Sequence, residues 1–250
     1  MLFSELEEVL EDLSRNKQRL TVSRHAYNIL LQDDEIFEPD KKQNRSGGDP
    51  SSTLVNQLFQ NLYETAESSI WMRLGAEKEK LAEYFHGQEN AEACTVAVLA
   101  LLQEQLEEKA RCRQQDKGCS FFVRLSKPVL EALASDELRK DAAFYGDKVG
   151  NYLKALLEEY CALPYAERER IYYKQQLQSI ELAITRQEKL KLTLSSRKKP
   201  TGGAAAPNNI TYLKPLCIQK DTEQLYNYLV GMTSAQPGGP WGMGLSLIHI

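Results

Sequence analysis

Apolar residues recur along this chain in two rhythms. They fall at every second residue over short runs and at every third or fourth over longer ones, and one succession of such runs occurs twice. The first copy opens with Arg19-Leu20-Thr21-Val22-Ser23, an alternation expected of a strand. A helix is expected from Arg24 to Leu31 and a longer one from about Thr53. The second copy opens with Phe121-Phe122-Val123-Arg124-Leu125-Ser126, followed by helices over Lys127 to Ala134 and from about Lys148. Val22, Ala26, Ile29 and Leu30 recur 103 residues later as Leu125, Val129, Ala132 and Leu133. Val55, Leu58, Phe59, Leu62, Tyr63 and Ala66 recur 94 residues later as Val149, Tyr152, Leu153, Leu156, Leu157 and Tyr160. Any bundle of amphipathic helices produces matching helical spacings; the strand-and-helix match upstream argues for a duplication. One short strand with two helices cannot bury its own apolar face, but two copies can bury theirs against each other. The strands then pair either within one chain or each with the same copy of a second chain.

The remaining segments are also patterned. Residues 3 to 14 predict a short helix with Leu6, Val9, Leu10 and Leu13 on one face, and Asp33 to Pro50 predicts a loop. Ser51, Ser52 or Thr53 is expected to cap the helix that follows. From Ile70 to about Gln115 the pattern is helical with a break at Gly87, and Val96, Leu99, Leu102 and Leu106 form the stripe of the second helix. Pro164 ends the second copy, and one helix is expected from about Ala166 to Arg186, burying Tyr173, Leu177, Ile180 and Ile184. Period two then returns at Leu190, Leu192 and Leu194. A basic loop containing Arg197-Lys198-Lys199 follows. A second strand is expected through Ile210, Tyr212, Leu216 and Ile218, and a third from Leu225 to Met232.

Composition narrows the chemistry. In 250 residues, 42% are hydrophobic and 26% charged, which supports a real core in a soluble protein. The net charge of −4 exerts no global attraction on nucleic acid, so such binding must come from local basic patches. The cysteines (Cys94, Cys112, Cys119, Cys161 and Cys217) are odd in number and form no C-x-x-C pair, so reduced thiols are expected. His25, His86 and His249 lack partners at metal-ligand spacing. The acidic start Glu5-Leu6-Glu7-Glu8 is unlike a secretory signal, and the apolar run from Ala93 to Leu102 is too short to span a bilayer. A cytoplasmic protein with no membrane contact is expected. No phosphate loop, nucleophile set or metal cluster is visible, and Glu7-Glu8 and Glu158-Glu159 fall on helix faces expected to be solvated. The expectation is a non-enzyme without cofactor. The end of the chain, Leu245-Ser246-Leu247-Ile248-His249-Ile250, is the translation expected from a transposase adaptor used in DNA library preparation. Residues 237–250 are therefore expected to be a non-native tail, and the natural protein to continue further.

Strand–helix–helix with an alternating strand, and Val123-Arg124-Leu125-Ser126-Lys127-Pro128 at its end, resembles the ribbon–helix–helix family of DNA-binding proteins. In that family two strands pair antiparallel and enter the DNA major groove. The resemblance implies that Leu20, Val22, Phe121, Val123 and Leu125 point inward. It implies that Lys17, Arg19 and Thr21, with Ser120, Phe122 and Arg124, point outward. Arg19, Thr21 and Arg124 would contact bases, and Lys17 and Lys127 phosphates. The family also anchors a phosphate at the N-terminus of its second helix, which maps to Ser52 and Thr53 in one copy and to Gly146-Asp147-Lys148 in the other. Both copies depart from the family in their long inter-helix connections. Phe122 departs by placing an aromatic ring on the outer face, and Asp147 by placing an acid near the phosphate position.

From Tyr173 to Thr233 the chain resembles the N-terminal part of a WYL domain, in which a helix leads into a small Sm-like β-barrel. The carrying residues are Leu225-Tyr226-Asn227-Tyr228-Leu229-Val230-Gly231, with Asn227 where the family has tryptophan, and Leu213-Lys214-Pro215-Leu216-Cys217-Ile218 upstream. The resemblance implies a bacterial transcription regulator that senses a nucleotide or nucleic-acid ligand, with Tyr228 as a ligand-binding residue, and it implies links to CRISPR and other defence systems.

The expected fold class is α+β and mostly helical, with two ribbon–helix–helix-like units followed by the start of an Sm-like or SH3-like barrel. The expected divisions are 1–15 N-terminal helix, 16–70 first unit, 71–118 helical insertion, 119–165 second unit, 166–236 partial WYL domain and 237–250 tail. Three functions compete. The first is a homodimeric regulator that binds DNA. The second is a CRISPR-associated accessory protein that binds single-stranded RNA. The third is a helical adaptor that binds no nucleic acid.

Overall fold

The computed structural model describes residues 1–37, 48–63, 70–115, 118–194, 209–220, 227–234, 239–240 and 242–246. The fold is α+β, mostly helical with small antiparallel sheets, and it divides into two compact units, Met1–Leu163 and Pro164–Ile250.

The first unit is built on a two-stranded ribbon. Strands β1 (Lys17–Val22) and β2 (Cys119–Arg124) pair antiparallel within one chain, from Lys17 opposite Arg124 to Val22 opposite Cys119. Each strand starts two residues earlier than its apolar alternation predicts. Asn16 adds a further rung, accepting from the Leu125 N–H and donating its side-chain amide to the Leu125 carbonyl. Because the ribbon is complete in one chain, it needs no second copy. On its inner face Leu20, Val22, Phe121 and Val123 are all but fully buried, each contributing about 1.5–3 kcal/mol by leaving water.

Each strand feeds a helix. After β1 comes α2 (Arg24–Phe37), and α3 (Ser52–Tyr63) follows further on; after β2 comes α6 (Lys127–Leu133), with α8 (Val149–Cys161) further on. The N-terminal helix α1 spans only Leu6–Glu11, the hairpin of α4 (Ile70–Tyr84) and α5 (Ala91–Gln115) lies between the copies, and α7 (Asp136–Asp141) precedes α8. Of the apolar positions that repeat between copies, Val55, Leu58, Phe59, Val149, Tyr152 and Leu153 are buried, Ile29, Tyr63 and Ala132 are half-buried, and Ala66 lies outside the described residues. Tyr152 sits among aromatic rings, edge-on to Phe3, Phe59 and Tyr145.

Several local expectations give way to tertiary contacts. The segment expected to be a loop from Asp33 is helical to Phe37, because Asp33 and Asp34 are buried and hydrogen-bonded. The Tyr160 hydroxyl donates to Asp33. Asp34 accepts from the N–H and hydroxyl of Ser51, whose Oγ in turn accepts from Leu54 N–H, so Ser51 caps α3. The helix expected over 3–14 is interrupted at Asp12, whose carboxylate accepts from Ser14 N–H, and Leu13 is left exposed. On α5 the packed stripe passes through Thr95; Val96 is exposed, as are Val98 and Leu101. Glu158 is not a solvated acid, since it accepts from both the N–H and the hydroxyl of Ser23 at the start of α2.

In the second unit the expected single helix is two, α9 (Tyr165–Tyr172) and α10 (Lys174–Arg186), hinged at Tyr173. They accompany a four-stranded antiparallel sheet in the order β3 (Leu190–Leu194), β4 (Asn209–Lys220), β5 (Asn227–Ser234) and β6 (Gly242–Ser246). No closed barrel forms among the described residues. Within the segment expected to be a non-native tail, 242–246 supplies strand β6 against β5. A bulge between Pro215 and Cys217 shifts the parity of β4. Leu216 is the extra, exposed residue, and Ile218 beyond it returns to the face of buried Leu213. The core joins Ile180, Leu213 and Leu229, with Ile184, Leu190, Leu192 and Ile218 at its edge. Gly231 is required by close approach, because a Cβ there would stand 2.6 Å from the Lys214 carbonyl oxygen.

Candidate nucleic-acid interface

Alternation fixes what the outer face of the ribbon presents. Its three cross-strand pairs are Lys17 with Arg124, Arg19 with Phe122, and Thr21 with Ser120. Neither strand contains an acidic residue, so this face is locally basic on a protein of net charge −4. The charge is unevenly spread. Lys17 and Arg124 make one end cationic, whereas Thr21 and Ser120 share a hydroxyl–hydroxyl hydrogen bond of 2.8 Å at the other. Between them Phe122 is 53% exposed. The Lys17 ammonium lies 4.4 Å from the centroid of that ring, a diagonal cross-strand contact that fixes the orientation of both side chains.

The second helices brace the ribbon from its ends. Ser52, the first residue of α3, accepts from the Arg124 N–H through its Oγ at 2.9 Å. Asn56, one turn on, donates to the Arg124 carbonyl at 2.9 Å and accepts from Ser126 N–H at 2.9 Å. These bonds hold Arg124 at the helix end. Thr53 is exposed beside Ser52. Lys127 is exposed at the start of α6, 3.7 Å from Glu131 one turn later. Lys148 is exposed just before α8, where it bridges to Leu2. Asp147 is engaged with the N-terminal segment, accepting from the Ser4 hydroxyl at 2.6 Å and, through its carbonyl, from Phe3 N–H.

The fold thus brings Lys17, Arg19, Thr21 and Arg124 onto one face, sets Ser52 and Thr53 at one of its borders, and places Lys148 beside β1. Tyr228 belongs to the second unit, half-buried on β5 opposite Gln219. Its neighbour Asn227, standing where the family resemblance has tryptophan, is buried. Asn227 donates its side-chain amide to the Ala166 carbonyl at 2.8 Å and to Glu169 at 2.6 Å. Arg197, Lys198, Lys199, Leu225 and Tyr226 lie outside the described residues.

One feature was not anticipated from the sequence. Beside the first turn of α8 is a cleft of about 410 Å³, lined among others by Gln18, Arg19, Thr21, Lys148, Gly150 and Lys154. The 94-residue offset pairs Asn56 with Gly150, against which the Gln18 side chain packs so closely that a Cβ would stand 2.7 Å from its Nε2.

No family model and no curated protein matches the chain. Among solved structures, the crystal structure of a CRISPR Cas-related protein is similar in fold, with a TM-score of 0.62 at 21% identity over 87% of this chain. The likeness covers 56% of that protein, so the chain spans little more than half its length.

Proposed function

We propose that this protein binds single-stranded nucleic acid on the outer face of its ribbon, as a non-catalytic accessory protein of a CRISPR-related system. The observation that carries the reading is Phe122. An aromatic ring 53% exposed at the centre of a cationic face is a stacking platform for an unpaired base, and Lys17, Arg19 and Arg124 around it can follow a phosphate backbone. The similarity of fold to a CRISPR Cas-related protein supports the setting.

A second reading is a DNA-binding transcription regulator, homodimeric and governed by a WYL-type unit that senses a nucleotide or nucleic-acid ligand near Tyr228. It is favoured by the antiparallel two-stranded ribbon, a shape the major groove accommodates. Titration of single-stranded RNA and duplex DNA of equal length across a salt series separates the two. Phe122→Ala is expected to weaken RNA binding by about 1–3 kcal/mol with the circular-dichroism spectrum unchanged. Tighter binding of one duplex sequence, indifferent to Phe122→Ala and weakened by Arg19→Ala by about 1–3 kcal/mol, would instead establish the regulator.

A further inference from the structure

We propose that the cleft beside α8 holds the terminal phosphate of a nucleic-acid strand. The proposal rests on the ribbon being a single-strand binder and adds to it a site for the strand's end.

The cleft lies beside the outer face of the ribbon, since Arg19 and Thr21 belong to both. Three cations line it: Arg19 and Lys148, both exposed, and Lys154, one turn along α8 from Gly150 and only 5% exposed. None of the described residues that line it is acidic. The acids that flank its walls in sequence are engaged elsewhere. Glu5 accepts from Leu2 N–H at 3.0 Å, Asp147 accepts from the Ser4 hydroxyl at 2.6 Å, and Glu158 is bound to Ser23. A cleft lined by charges of one sign focuses their field and concentrates a ligand of the opposite sign, so the occupant is an anion. Its volume of about 410 Å³ falls in the range of small-molecule sites, about 300–1,000 Å³, which leaves room for a phosphate with its sugar.

Two features favour the end of a strand over its interior. The first is charge. A phosphate monoester carries a charge of about −1.5 to −2 at neutral pH and offers three free oxygens, whereas a phosphate inside a strand carries a single charge and two free oxygens. The cluster of cations therefore discriminates between them. The second is the N-terminal segment. Leu2 bridges Lys148, and Phe3 N–H donates to the Asp147 carbonyl at 3.0 Å, so this segment crosses the start of α8. Met1 and Leu2 thereby form a wall of the cleft, and a strand arriving from the ribbon past Arg19 meets that wall as a stop. The recognised chemistry, a phosphate monoester on a sugar, is common to the end of a strand and to a free sugar phosphate.

Titration of the full chain with an internally labelled oligouridylate tests the site. Four strands are compared: one phosphorylated at its 5′ end, one at its 3′ end, one at neither, and an unphosphorylated strand two nucleotides longer, which adds charge without a terminal phosphate. One of the end-phosphorylated strands is expected to bind about tenfold tighter than the unphosphorylated strand of equal length, and tighter than the longer one. Lys148→Ala is expected to erase that preference and Lys148→Arg to retain it, whereas Phe122→Ala weakens every strand and leaves the preference in place. A longer strand that binds as tightly as the phosphorylated ones overturns the proposal, as does a preference that survives Lys148→Ala. Ribose 5-phosphate distinguishes the sources: binding as tight as that of the phosphorylated strand assigns the cleft to a free sugar phosphate and overturns the strand end, and weaker binding supports it. Strand binding that depends on Phe122, with no preference for a terminal phosphate, removes the cleft site and leaves the ribbon reading standing. Failure of every strand to bind removes both.

Discussion

Arg19 and Phe122 hold equivalent places in the two copies, 103 residues apart, and they face each other across the ribbon. A strictly repeated sequence would put two arginines or two phenylalanines there; this one puts a cation beside a ring at the centre of the face. Alternation in the sequence was enough to turn these residues outward, but the Lys17–Phe122 contact needs the register of two strands that begin 102 residues apart. Tyr27 shows the same dependence. Its hydroxyl donates to Asp49 at 2.7 Å, with the Gly48 carbonyl oxygen 3.0 Å away, and chiefly the bond to Asp49 pushes the phenol up to about 12 from an ordinary 10. A raised folded-state pKa of an acid favours the protonated form. The contribution is therefore complete below pH 10 and disappears as pH rises through about 12. Tyr27→Phe is expected to lower the melting temperature at pH 8 and to match the unaltered protein near pH 12. A gap in melting temperature that stays constant between those pH values would contradict this account.

Helix ends carry most of what joins the elements. Ser51, oriented by Asp34, caps α3; Ser23, gripped by Glu158, caps α2; Asn56 ties α3 to the end of β2 and the start of α6. Ser51 was legible as a capping candidate, because Ser before an apolar-periodic run is a local signal; the cap at Ser23 was not singled out. The partners were not legible, because Asp34 falls in a segment expected to be a loop and Glu158 on a helix face expected to be solvated until a neighbour arrives. Asn56→Ala removes the bonds to the Arg124 carbonyl and to Ser126 N–H and is expected to cost about 1–3 kcal/mol in urea unfolding. A loss below about 0.5 kcal/mol would mean that water replaces the side chain freely. In the second unit the bulge after Pro215 changed strand parity: Leu216 is the extra, exposed residue, and Ile218 in place of Cys217 joins the edge of the core around Leu213.

Across the molecule, two units each have their own core, and the basic face belongs to the first of them. The net charge of −4 and the local concentration of Lys17, Arg19, Arg124 and Lys127 make a quantitative expectation. With about four phosphate contacts, the logarithm of the single-strand binding constant should fall with the logarithm of salt concentration at a slope of about −3. A fluorescence titration at several salt concentrations measures it, and a slope near zero would exclude the ribbon as a backbone-binding face. No helix among the described residues is long and apolar enough to cross a membrane.

Local pattern settled which segments extend, which coil and which side of each faces inward, since alternation and the 3.6-residue turn are properties of neighbouring residues. It therefore located the ribbon strands, their inner and outer sets, and three of the four strands of the second unit to within a few residues, but not β6, which lies in the segment expected to be a tail. It left the partner of each strand open, it was silent on Gln18 and Gly150, and it placed Glu158 on a solvated face where the structure has it bound to Ser23. Those depend on groups more than a hundred residues away being brought together, as Ser23 is with Glu158 and as Gln18 of β1 is with Gly150 of α8, where a Cβ would stand 2.7 Å from the Gln18 Nε2. Pairing within one chain, the cleft, and the exposure of Phe122 beside Lys17 exist only once the chain has folded back on itself, because burial and hydrogen bonding are settled between elements rather than along them.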